Sequence, residues 1–101
     1  MSSRNELQGK LEELLKSKHV YYNPPSTLKM EYPCIRYSLK VIKSRFANSA
    51  PYSLLPCYEL IVIAKESDHE VIKDLMMLPY CTHVNHYKAD NLNHDVLTIH
   101  W

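Results

Sequence analysis

Between Cys81 and His100 the chain concentrates its metal-ligating and nucleophilic side chains: Cys81, His83, His86, His94 and His100, with the carboxylates Asp90 and Asp95 among them. Thiolates and imidazoles at short spacing are the raw material of a zinc site. On an extended strand, however, Cys81 and His83 share a face while His86 points the other way. A three-ligand site would need a bulge or a second strand to supply ligands. The simpler reading leaves Cys81 in the core and the histidines at a polar surface or an interface. A nucleophile–base pair of Cys81 and His83 lacks an orienting third group and an oxyanion hole at useful spacing. Asp90 and Asp95 could hold a metal or act as acid and base, but Asx side chains far more commonly cap turns. With Gly9 as the only glycine, no phosphate-cradling loop of the P-loop or dinucleotide type can form. No catalytic residue, metal or cofactor is expected, and the chain does not read as an enzyme.

The elements that would position these residues follow from periodicity. Tyr80 to Trp101 alternates from Cys81 to Tyr87, breaks into the polar run Lys88 to Asp95, and resumes alternation from Val96, which predicts two strands joined by an ordered loop. At the other end, Ser3-Arg4-Asn5-Glu6 matches a capping box. Leu7, Leu11, Leu14 and Leu15 then give an amphipathic helix to about Lys18, with Gly9 in its middle. Val20 to Pro25 leaves as a short extended piece because the two prolines restrict it. From Cys34, Ile35, Tyr37, Leu39 and Val41 alternate with Arg36, Ser38 and Lys40, a strand with one buried and one wet face. Phe46 to Pro56 is a connection too apolar for a freely solvated loop. Tyr58 to Ala64 is nearly continuous in apolar residues and reads as the central strand. Ser67 to Glu70 repeats the capping-box pattern ahead of a short helix that stops at Pro79. The expected architecture is a single α+β domain over residues 1–101, a mainly antiparallel four-stranded sheet with two helices packed on one face.

Composition narrows the function. A chain of 101 residues with 46% hydrophobic residues can fold as one domain. No run approaches the ~20 apolar residues of a membrane span, and the polar start lacks a signal-peptide core, so a soluble protein kept in a cytoplasm is expected. Cys34, Cys57 and Cys81 are widely spaced and read as free thiols. The net charge is only +1, which gives no global case for nucleic-acid binding. It is unevenly placed: residues 1–58 hold nine Lys/Arg against four Asp/Glu, and residues 59–101 hold three against seven. Solvated helix faces could account for this; so could a molecule with two oppositely charged ends, suited to head-to-tail contacts with its own copies. Between Tyr32 and Tyr58 there is no acid. The basic strand could bind nucleic acid, but the alternation puts Tyr37 on the face opposite Arg36 and Lys40. Eight tyrosines fit a protein with interfaces better than an enzyme.

Tyr21-Tyr22-x-Pro24-Pro25, Tyr32-Pro33-Cys34-Ile35-x-Tyr37, Pro51-Tyr52, Tyr58-Glu59-Leu60, Leu78-Pro79-x-Cys81 and the run Tyr87 to Val96 with Ala89-Asp90-Asn91-Leu92-Asn93-His94-Asp95 resemble a family of small proteins from the head–tail gene cluster of long-tailed bacteriophages. Its members are described as minor capsid, tail-completion or tail-terminator proteins. The resemblance covers about eighty residues, from Tyr21 onward, and the N-terminal helix matches in character only. It implies a structural virion protein at the neck, assembled in the host cytoplasm, that forms a ring, commonly a hexamer, on the finished tail tube. Such a ring stops tube polymerisation and offers a surface to the head-side connector. The implied partners are its own copies, the tail-tube protein and the connector, with no small-molecule substrate and no membrane. Arg36 and the segment Lys65 to Glu70 depart from the family pattern, which touches partner identity. Alternatives are a head-completion or stopper protein of the same neck, or a small nucleic-acid-binding protein. The candidate contact residues are Arg36, Lys40, Lys43, Arg45 and Tyr52 on the basic strand and its continuation, and Tyr87, Asp90, Asn91, Asn93, His94 and Asp95 on and beside the polar run.

Overall fold

The computed structural model describes residues 4–41 and 56–101. Leucines at helical spacing fold into α1 (Arg4–Leu15), with Leu7, Leu11 and Leu15 buried. The helix ends sooner than its sequence suggests. Lys16 takes a left-handed conformation (φ 61°), and the Ser17 N–H reaches back to the Glu12 carbonyl at 3.2 Å. This 6→1 bond closes the last turn in the Schellman manner, with lysine where glycine is usual. A Cβ added at Gly9 would meet nothing within 4 Å, so this glycine marks no close packing.

The remaining elements are β1 (Val20–Tyr22), β2 (Cys34–Val41), β3 (Cys57–Ala64), α2 (Glu70–Met76), β4 (Cys81–Ala89) and β5 (Leu92–His100). They form one sheet in the order β1-β2-β3-β5-β4. Four strands pair antiparallel, as expected. The expected sheet of four is corrected to a mixed sheet of five, because Val20 to Tyr22 pairs parallel with Ile35 to Tyr37. The prolines that follow limit this strand to three residues and to an edge position, where a missing donor costs least. The nearly continuous apolar segment is indeed third of five, flanked by β2 and β5.

Register explains the core. Tyr37 pairs with Leu60 and Leu60 with Leu97, one row across three strands, all of it almost inaccessible to solvent. Leu7, Leu11 and Leu15 of α1 and Val71 and Leu75 of α2 join this face in a single cluster. The phenol of Tyr37 would be costly to bury alone. It donates to Gln8 Oε1 at 2.5 Å and accepts from the Arg4 guanidinium at 3.3 Å. Gln8 Nε2 then reaches the Val20 carbonyl at 3.0 Å. These bonds tie α1 to both β1 and β2. Burial pushes the Tyr37 hydroxyl above its ordinary range, and the bond from Arg4 opposes that.

Two local readings change. α2 is capped by His69, whose Nδ1 accepts the Val71 N–H at 3.2 Å, and the helix begins at Glu70, three residues after Ser67. The polar run Lys88 to Asp95 is no loop. Lys88 pairs with Asn93 and Ala89 with Leu92, leaving Asp90 and Asn91 as a two-residue turn. Both have positive φ, 54° and 63°, the geometry of a type I′ turn. Asp and Asn tolerate that conformation because their side chains bond locally.

Candidate functional site

The hairpin of β4 and β5 brings together the side chains that looked chemically capable. Along β5, Asp95, Leu97 and Ile99 face the helices, and Cys81 and His83 of β4 pair with Ile99 and Leu97 on that side. Between His83 and Asn85 the register shifts by one residue. This β-bulge at Val84 reverses the alternation, so His86 lands opposite Asp95 on the same face as His83. His83 Nε2 lies 2.9 Å and His86 Nδ1 2.8 Å from the same oxygen, Asp95 Oδ1. The bulge and the second strand that a three-group site demanded are both present.

The result is a clamp of hydrogen bonds. Asp95 is 4% exposed, and both imidazole nitrogens serve as donors toward its carboxylate. Among the described residues no group of three His, Cys, Asp or Glu side chains is disposed to hold a metal ion. His94 and His100 fall on the opposite face of β5, away from the clamp. Burial pushes the Cys81 thiol up to about 11, and the same cause raises Cys34 to about 11 despite the opposing Arg36 charge. Neither has the lowered thiol that a nucleophile needs. His83, the partner that would have activated Cys81, is engaged by Asp95.

The expected contact residues divide between faces. Arg36 and Lys40 are exposed on β2. Arg36 lies level with Ile61 and Val96 on the face turned away from the core cluster. Tyr87 and His94 are register partners on that same face, their rings stacked at 4.7 Å and 11°. Two strand spacings, roughly 10 Å, separate β2 from β5. Asp90 and Asn91 form the exposed turn at the hairpin tip. Asn93 is pinned by its amide to the Lys65 carbonyl at 2.9 Å. Asp95 is corrected from a contact residue to a buried acceptor, because the strand turns it toward the helices. Lys43, Arg45 and Tyr52 lie outside the described residues, as does most of the apolar connection Phe46 to Pro56.

A shallow depression on the face away from the core cluster is lined by Asn23, Pro24, Arg36, Ser38, Glu59 and Ile61. Its volume, about 40 Å³, is far below that of a small-molecule site, and its lining is mainly polar rather than apolar. No family model matches the chain, and neither a curated protein nor a solved structure matches it. No helix among the described residues is long and apolar enough to cross a membrane.

Alternation alone missed the pairing of His83 and His86 on Asp95. A bulge leaves no period-2 signature, and the only available hint was that three polar, potentially complementary side chains sat on two adjacent strands.

Proposed function

We propose that this chain is a structural protein of a phage neck, acting as a ring of identical copies on the finished tail tube, where it ends tube polymerisation and receives the head-side connector. The reading rests on the resemblance over Tyr21 to Trp101, and three of the motifs that carry it lie in strands of the sheet. Cys34-Ile35-x-Tyr37 is the buried start of β2, Tyr58-Glu59-Leu60 belongs to the central strand, and Tyr87 to Val96 is the β4–β5 hairpin.

The observation that favours assembly of copies is how topology treats charge. Residues 4–41, with seven Lys/Arg against four Asp/Glu, supply α1, β1 and β2 at one edge of the sheet; residues 65–101, with three against six, supply α2, β5 and β4 at the other. The strand order thus leaves a small excess of each sign toward opposite edges. Unlike ends suit heterologous contacts that close into a ring. Nothing comparable supports catalysis, since the titratable cluster is closed on itself.

Electron microscopy of a lysate from a phage with a nonsense codon early in this gene tests the function. Overlong or headless tails beside DNA-filled heads are expected. Tubes of normal length beside empty heads would transfer the protein to head completion, and ordinary infectious particles would remove the structural reading altogether.

A further inference from the structure

We infer that the two opposite edges of the sheet are the two halves of one contact between copies: the α2–β4 corner of one molecule docks on the β1 edge of the next. This deepens the ring reading above by naming its surfaces.

Three observations converge. First, among the described residues, exposed large apolar side chains gather at both edges. At the α2–β4 corner Met76 and Tyr80 are half exposed, Met77 is 84% exposed, and Val84 stands out at the bulge. At the other edge Tyr22 of β1, and Leu28 and Tyr32 on the connection to β2, are exposed too. That connection is held to β1 by the bond from the Glu31 N–H to the Tyr21 hydroxyl. Isolated apolar residues on a surface are ordinary, but Met-Met-x-x-Tyr at one corner is a cluster, and methionine adapts to a partner's contour.

Second, the charges beside these clusters are complementary. At the corner Glu70 and Asp74 of α2 outnumber Lys73, whereas at the edge Lys29 beside Leu28 and Arg4, whose guanidinium lies 4.2 Å above the Tyr22 ring, outnumber Glu31. Opposite fields favour corner against edge and penalise corner against corner, so the contact is directional.

Third, β4 is built against simple strand addition. Among the described residues no strand pairs with the outer edge of β4, and a nine-residue edge strand would ordinarily invite one. Its bulge breaks the regular row of outward backbone groups, and the Asp95 clamp holds that bulge in place. Side chains, rather than a continued sheet, therefore make the contact.

Two single variants at exposed positions test this, Met77→Glu at the corner and Leu28→Glu at the β1 edge, each first shown by circular dichroism and melting to be folded. Sedimentation at about 0.1 mM, a concentration at which a contact with a Kd of about 10 μM or tighter is mostly formed, reads the outcome. The native chain is expected to form oligomers, and each variant alone to be monomeric. An equimolar mixture is expected to give a one-to-one dimer that goes no further, because each variant retains the half-contact the other lacks. A native chain that stays monomeric, a variant that still assembles, or a mixture that remains monomeric would overturn the inference. Failure here is distinguishable from failure of the function. Abnormal tails with a nonsense codon and a monomeric mixture would remove this contact alone; a defined dimer with normal particles would remove the neck role alone.

Discussion

Replacing Asp95 by alanine tests the structural reading of the hairpin where it is most exposed to error. Asp95 Oδ1 receives two bonds, at 2.9 Å from His83 and 2.8 Å from His86. A hydrogen bond to a charged group is worth about 1.5–3 kcal/mol when its partner is left stranded. The imidazole side chains are 29% and 40% exposed and can recover water once the acceptor is gone. The lower end of that range therefore applies to each bond, and the two bonds together give a loss of about 3 kcal/mol for Asp95→Ala. For a domain of this size that corresponds to a fall in Tm of roughly 12–24 °C. Urea unfolding followed by far-ultraviolet circular dichroism measures the loss, with an unchanged m-value showing that the same surface still unfolds. Combining Asp95→Ala with His86→Ala should show coupling of about 1 kcal/mol, since the second change removes a donor that has already lost its acceptor. A loss under about 0.5 kcal/mol, or strictly additive effects, would refute the idea that the clamp holds β4 to β5.

Three further outcomes follow from the backbone and the thiols. Gly9→Ala should stabilise the chain by about 0.5–1 kcal/mol, read as a higher urea midpoint, because the site is a helix interior and the new methyl meets open space. Lys16→Gly should add about 0.5–1 kcal/mol in the same assay, since a left-handed residue with a Cβ is strained at the helix end. Stability should fall as pH rises from about 9 toward 11, because the unfolded thiols ionise near 9.0 while burial holds Cys34 and Cys81 protonated up to about 11. The unfolded state then binds fewer protons than the native one, which gives stability a negative slope with pH. A Cys34→Ala, Cys81→Ala double variant should flatten the profile of melting temperature from about pH 9 to 10; above that the hydroxyls of Tyr37 and Tyr58, also raised by burial, keep a negative slope.

Much of this fold was legible because burial imposes patterns. The apolar run at Tyr58 to Ala64 had to be interior, and the leucines of α1 had to share one side of a helix. The misreadings cluster where burial is weak. β1 has three residues ahead of two prolines, too few for alternation to register, and pairing with β2 is what makes it a strand. The β4–β5 tip has polar residues on both faces, so Lys88 to Asp95 resembled a loop although Asp90-Asn91 is itself a hairpin turn signal. The candidate site was legible in residue type and not in arrangement. His83, His86 and Asp95 were visible as polar groups in the C-terminal strands, but their meeting depends on one extra residue in β4. Asp95 looked like a surface contact for the same reason: nothing in a run of Asx residues says which one turns inward.

The neck role is tested most directly by locating the protein on particles of a phage whose genome carries this coding sequence. Gold-labelled antibody against the purified chain, viewed by electron microscopy on tails detached at the head side, is predicted to mark the head-proximal end of each tail and no other place. Label along the capsid, at the distal tip, or on no particle at all would contradict the account.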